Sequence, residues 1–267
     1  MTRLAEDPAA PFDLAEVALM LARDEYPTLD VDGYLAELDA MALEVRRVLR
    51  GSLAARVDRL CRYLYHDLGF RGNTAEYYDP LNSFFNQVLD RRVGIPITLS
   101  AVAISVGQRA GLNVVGVALP GHFVVKAIAG NHQILFDPFH GGRRLTVAEC
   151  GELVEKVTGM GFEPSAEDLR PALLGPIVVR MLSNLKAIYL RNGDFGRAVK
   201  VLQRLRQLQP DDLYQQRDLG VSLLHAGRAG QSIEHLEAFL AGSPGQEEGD
   251  AVRRLLEQAR GEIARWN

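Results

Sequence analysis

Shifting the chain against itself by 34 residues brings about a quarter of it into register near the C-terminal end. Leu185 then falls on Leu219, Gly193 on Gly227, Ala198 on Ser232, Leu202 on Leu236 and Pro210 on Pro244. No other feature limits the fold so strongly. A unit recurring at this period cannot bury its apolar side alone, so neighbouring copies must stack. In each copy the glycine marks a turn between two helices, where a positive φ is needed. The small residue five positions later lets those helices approach closely, and the proline opens the next connection. Two copies are fewer than a free solenoid needs. A helix is therefore expected over Glu248–Trp266, its apolar side made of Val252, Leu255, Leu256 and Ala259, to cover one open end. The front domain or a junction helix would cover the other.

This pattern resembles the tetratricopeptide repeat. Tyr189, Gly193, Ala198 and Pro210 match it in the first copy, and Gly220 in the second, where Lys186 stands at the equivalent place in the first. The resemblance implies a surface that holds another polypeptide. The facing pattern of such repeats turns Ser183, Ala187 and Arg191 of copy one, and Arg217, Val221 and His225 of copy two, toward the inner surface. Arg191 and Arg217 give that surface positive character, which suits a protein or peptide partner with an acidic segment or a terminal carboxylate.

The front of the chain reads differently. Asp13 with Glu16 suggests a capping box, with Phe12 and Val17 placed as a hydrophobic staple. A second helix is expected from about Asp32, with Leu35, Leu38, Met41, Val45 and Leu49 on one side. A third follows Gly51-Ser52 and carries Val57, Leu60, Cys61, Leu64 and Leu68. A short helix holds Phe84, Phe85, Val88 and Leu89. Another opens at Pro96, where a missing N–H costs nothing, and runs to Gly111. Short β-prone runs then begin at Val114, Phe123 and Gln133, broken by Pro120-Gly121 and Gly130-Asn131. Thr146 with Glu149 announces one more capped helix. Helices followed by strands, without a βαβ rhythm, indicate an α+β domain. The expected division is 1–163 for this domain with its N-terminal helices, 164–178 for a junction, and 179–267 for the repeat pair with its capping helix.

Two residues in the strand region invite chemistry. His122 opens one strand and Asp137 closes the next, so an antiparallel pairing brings them side by side. An aspartate on one imidazole nitrogen fixes the tautomer and leaves the other nitrogen to act as a base. The same spacing serves a purely structural hydrogen bond equally well. His122, His132, Asp137 and His140 could converge on a metal, yet none of the tight ligand spacings of a zinc site is present, and no metal is expected. Cys61 lies among apolar residues and reads as a buried, inert thiol. Cys150 stands just behind a helix start, a place where a thiol pKa can fall. No dinucleotide or phosphate-binding glycine signature is present, and no cofactor is expected.

The stretches Asp79-Pro80-Leu81-Asn82-Ser83, Val88 through Ser100, Pro120-Gly121-His122-Phe123 and Phe136-Asp137-Pro138-Phe139 resemble the bacterial SirB-type family over nearly the whole chain. That family joins a transglutaminase-like domain to C-terminal tetratricopeptide repeats. The resemblance implies a papain/transglutaminase-like α+β core behind a helical N-terminal segment, followed by all-α hairpins. In such enzymes a cysteine at a helix head is followed by histidine and aspartate on successive strands. His122 and Asp137 match the latter two, and the cysteine position falls on Pro96, which has no nucleophilic atom. Ser100, one helical turn on, and Ser83 are the weak substitutes for a nucleophile.

The sequence thus favours a catalytically silent transglutaminase-like domain joined to repeats, acting as an adaptor or regulatory protein. The alternative is a hydrolase or acyl transferase that uses His122 and Asp137 with an unusual nucleophile. A formal net charge of -4 argues against nucleic acid as partner. No apolar run reaches the roughly 18 to 20 residues that span a bilayer, the N-terminus lacks a secretory core, and two cysteines form no disulfide framework. A cytoplasmic location is the expectation.

Overall fold

The computed structural model describes residues 13–243 and 245–265. Phe12 of the expected staple, Pro244 of the repeat and Trp266 at the expected end of the last helix lie outside them. The fold is an α+β core followed by helical repeats, as the sequence reading expected. Two compact units follow one another along the chain, with the division at Val178–Val179.

In the front unit each of the first three described helices starts on a side-chain cap, which satisfies an orphan backbone donor. Asp13 caps α1 (Leu14–Ala22), Asp30 caps α2 (Val31–Val48) and Ser52 caps α3 (Leu53–Cys61). Without a break α3 passes into a π-helical stretch, Arg62–Asp67. β1 (Arg71–Gly72) and β2 (Val93–Gly94) form a two-residue parallel ladder. Between them lie a 3-10 turn, Pro80–Asn82, and α4 (Phe85–Arg91). α5 (Pro96–Arg109) is buried continuously from Pro96 to Gly107 and forms the centre of the unit.

β3 (Asn113–Leu119), β4 (His122–Ala129), β5 (His132–Asp137) and β6 (Arg143–Leu145) make an antiparallel sheet in sequential order. Gly121, at φ 67°, closes the turn that pairs Leu119 with His122. α6 (Val147–Thr158) begins with the expected capping box of Thr146 and Glu149 and ends at Gly159, φ 74°.

Both faces of the sheet are covered. On one, Val117, Leu119, Val124, Leu135 and Leu145 pack with Cys150, Leu153 and Val154 of α6 and with Leu169. Each such aliphatic side chain contributes about 1.5–3 kcal/mol relative to exposure. On the other lies α5, where Gly107 approaches Val114, and Gly116 has Phe123 and Ile104 beside it. The Ser100 hydroxyl donates to the Phe123 carbonyl at 3.5 Å. These contacts run α5 antiparallel to β3. Its N-terminus, Pro96, therefore lies at the end of the sheet where β4 begins and β5 stops.

The stretch after α6 docks on this sheet. The Ala172 amide donates to the Gly116 carbonyl at 2.8 Å, and the Lys126 ammonium donates to the Leu169 carbonyl at 2.6 Å.

The division falls within α7 (Leu174–Arg191), and the back unit runs from there through α8 (Phe195–Leu208), α9 (Leu213–His225), α10 (Ala229–Ala241) and α11 (Gln246–Ala264). The period survives at the level of single hydrogen bonds. Gly193 and Gly227 have φ of 68° and 74°. The next amides, of Asp194 and Arg228, donate back to the carbonyls of Tyr189 and Leu223 at 2.9 and 2.8 Å, closing each helix by the same motif. Ala198 and Ser232 are fully buried, as are Leu202 and Leu236. At Gly220 a Cβ would stand 2.7 Å from Leu236, so α9 and α10 cross there with no room for a side chain. Lys186, its counterpart, instead reaches Asp218 at 2.9 Å. Val252, Leu256 and Ala259 of α11 bury themselves against Leu236, Phe239, Leu224 and Ala229, covering the apolar side of the second hairpin. Among the described residues no helix is long and apolar enough to cross a membrane.

Candidate functional site

β4 and β5 pair with Val125 opposite Phe136. One step further this sets Val124 opposite Asp137 and makes His122 the diagonal neighbour on the same face, within reach of a long side chain. His122 Nε2 lies 2.9 Å from Asp137 Oδ2. Asp137 also caps the 3-10 turn Pro138–His140, its Oδ1 accepting from the Phe139 amide at 2.9 Å. Three residues per turn eclipse positions 137 and 140. His140 Nδ1 thus arrives 2.6 Å from the same Oδ2. Gly141 and Gly142, both at positive φ, reverse the chain, and the Gly142 amide donates to the Asp137 carbonyl at 2.8 Å. His122 and Asp137 are buried, whereas the His140 side chain is 44% exposed.

Burial by itself would push the Asp137 carboxyl up. Hydrogen bonding and charge from His122, then from His140, outweigh it and hold the group below the usual aspartate range. Asp137 is thus an anion at neutral pH that serves two imidazoles.

The surroundings are aromatic. Phe139 meets His122, His140 and Tyr77 edge-on at 6.2, 5.1 and 6.0 Å between ring centres. Gly72 of β1 approaches Phe139 so closely that a Cβ would lie 2.6 Å from its ring. Gly142 packs with the same tightness on Tyr65 and Cys61. The Tyr65 hydroxyl is enclosed without a hydrogen-bond partner among the described residues. Burial, then Cys61 and Asp137, push its pKa far up. On the solvent side His140 opens on a cleft of about 400 Å³, lined also by Arg143, Glu149, Glu152, Leu153 and Lys156.

The structure brings together His122, Asp137 and His140, and leaves His132 exposed at the start of β5. Three of the four candidate ligands thus lie together, an i,i+3 pair on a 3-10 turn facing a neighbouring strand, which spacing rules written for helices and loops do not describe. Pro96 occupies the first position of α5, at the same end of the sheet. Ser100 is fully buried with its hydroxyl turned to the Phe123 carbonyl. Ser83 is buried too, and its hydroxyl has no hydrogen-bond partner among the described residues. The Cys61 thiol is pushed up to about 12, by burial first and then by Asp58. At Cys150, where the helix start left room for a lowered pKa, burial, followed by Asp137 and Glu149, pushes it up to about 11.

In the repeats Ala187, Arg191 and His225 are exposed and Ser183 is half-buried. His225 stacks on Phe195 at 4.6 Å. Arg217 is already engaged, bonded to Asp218 at 2.8 Å and Glu248 at 2.9 Å, and lies over the Tyr214 ring. Val221 packs against the apolar cluster that joins α10 and α11.

Comparison with known proteins agrees with this architecture. Residues 32–183 match the transglutaminase-like superfamily model, and residues 185–257 match a tetratricopeptide repeat model. A UPF0162 protein of Xylella fastidiosa is 36% identical over 251 residues, covering 91% of this chain and 88% of that protein. Its counterpart in Pseudomonas aeruginosa is 32% identical over 209 residues, with 78% and 75% covered. The mouse F-box only protein 21 is 32% identical over 150 residues, which is 51% of this chain and 22% of that protein. No solved structure matches the chain. The chain belongs to the UPF0162 family, built from a transglutaminase-like core and a C-terminal tetratricopeptide repeat.

Proposed function

We propose that this protein is an adaptor, holding a protein partner on its repeats, and that its transglutaminase-like unit carries out no thiol-dependent acyl transfer. The observation that carries the reading is Pro96 at the head of the central helix. A cysteine there would gain from the helix N-terminus and a nearby imidazole, but proline offers neither a sulfur nor an N–H. The two cysteines present are buried, with pKa values pushed up to about 12 and about 11, so neither replaces it. Buried unpaired thiols also suit a cytoplasmic setting.

The ligand class that fits is an acidic or carboxyl-terminal segment, met by the exposed Arg191 beside Ala187. Arg217 contributes less than its sequence position implies, because Asp218 and Glu248 already balance it. The test uses the intact chain as bait, beside a double variant, Ala187→Glu with Arg191→Glu, whose circular dichroism is unchanged. Capture of a specific partner should fall at least about tenfold, equivalent to about 1.4 kcal/mol. Undiminished capture by the folded variant would remove this surface from consideration.

A further inference from the structure

We propose that His122, Asp137 and His140 form a binding site for one zinc-class divalent transition-metal ion, with a fourth coordination position directed toward the cleft beside His140. The three offer one ligand atom each, all within 4.8 Å of one another. Two imidazoles and a carboxylate suit zinc or cobalt rather than calcium or magnesium, which take oxygen ligands.

The required movement is small. Tetrahedral zinc with bonds of about 2.0–2.2 Å separates its ligand atoms by about 3.3–3.5 Å. Here Asp137 Oδ2 stands 2.9 and 2.6 Å from the two nitrogens. An ion entering between them must widen the first gap by about 0.4–0.6 Å and the second by about 0.7–0.9 Å. His140, exposed at the end of a short turn, supplies the larger of these movements, and the buried His122–Asp137 pair needs the smaller one.

The support around the ligands is also in place. The Phe139 amide occupies Asp137 Oδ1 and leaves Oδ2 to face both rings. The imidazole rings lie 5.9 Å apart and tilted by 33°, so they converge on the carboxylate instead of stacking on each other. The cleft that leads in from solvent carries two carboxylates, Glu149 and Glu152, balanced by Arg143 and Lys156, with Arg143 3.8 Å from Glu149. Three protein ligands with one position open is the pattern of zinc sites that bind a water or a substrate.

The experiment strips the full-length protein of metal and titrates it with zinc and with cobalt. Isothermal calorimetry reads stoichiometry and affinity, and visible absorption reads the cobalt geometry. One ion per chain should bind, with the intense visible bands of four-coordinate cobalt. His140→Ala should weaken binding at least about 100-fold, the upper end of what even an outer-shell partner contributes. His132→Ala, an exposed histidine outside the cluster, should leave binding unchanged. Asp137→Asn should also lose the site, but His140→Ala decides the matter because its exposed position keeps the fold intact. No stoichiometric binding, or binding that His140→Ala does not alter, would overturn the proposal.

Discussion

Replacing Asp137 by asparagine changes one buried atom pair and should be costly. The amide keeps the oxygen that accepts from the Phe139 amide, but it turns an NH2 toward one or both imidazole nitrogens now held at 2.9 and 2.6 Å. A hydrogen bond to a charged group contributes about 1.5–3 kcal/mol net, and a buried polar group left unpaired costs about 1–3 kcal/mol. His140 is exposed enough for water to replace its share, so the loss is carried by His122. The expected destabilisation is about 3 kcal/mol, or about 6–12 °C in Tm for a unit of this size. Native-state amide exchange along β4 and β5, with a chelator present, reads the front unit by itself. A loss below about 1 kcal/mol would show that the His122–Asp137 contact does not support the fold. The pH dependence has a definite sign. Because the folded carboxyl is held below its usual value, its contribution is fully present above the unfolded pKa of about 3.9 and is lost as pH falls through the folded value. The gap between wild type and variant should therefore shrink only below about pH 4.

Two further outcomes are expected. Pro96→Cys should alkylate near neutral pH faster than a model thiol, an excess that vanishes with His122→Ala, while wild-type Cys61 and Cys150 stay unreactive until unfolding; slow, equal alkylation in both backgrounds would mean the pocket no longer assists a thiolate. Gly220→Ala places a methyl 2.7 Å from Leu236 and should destabilise the repeat unit by about 1–3 kcal/mol in urea denaturation, whereas neutrality would mean that α9 and α10 separate easily.

Features set by local chemistry could be read directly from the sequence. The Thr146–Glu149 box, the turn at Pro120-Gly121 and the glycines at 193 and 227 each need only a few adjacent residues, and the structure has them where expected. His122 and Asp137 were legible because an antiparallel hairpin relates them simply. β1 and β2 were not, since two-residue strands carry no period and their pairing is decided by close packing at Gly72 and Gly94. β6 was missed because Arg143-Arg144-Leu145 shows no alternation and is a strand only by lying along β5. His140 was named among possible ligands, but its approach to Asp137 depends on the 3-10 turn, which spacing alone does not show. Arg217 was read as lending positive character to the inner surface because its partner Glu248 belongs to another helix, and helix-to-helix register is a tertiary property.

The sequential order of the sheet has a consequence for the time course of folding. Every ligand atom of the proposed site lies between His122 and His140, inside one meander joined by tight turns. Closing such short loops costs little chain entropy, so the hairpins can form before distant helices find their places. The histidine–aspartate arrangement should then acquire protection among the earliest parts of the front unit, while the β1–β2 ladder, which must enclose the intervening loop and α4, comes later. An arrangement encoded so locally does not need the residue at the head of α5 in order to assemble. Substitution at that position should therefore leave it standing as a self-contained cassette.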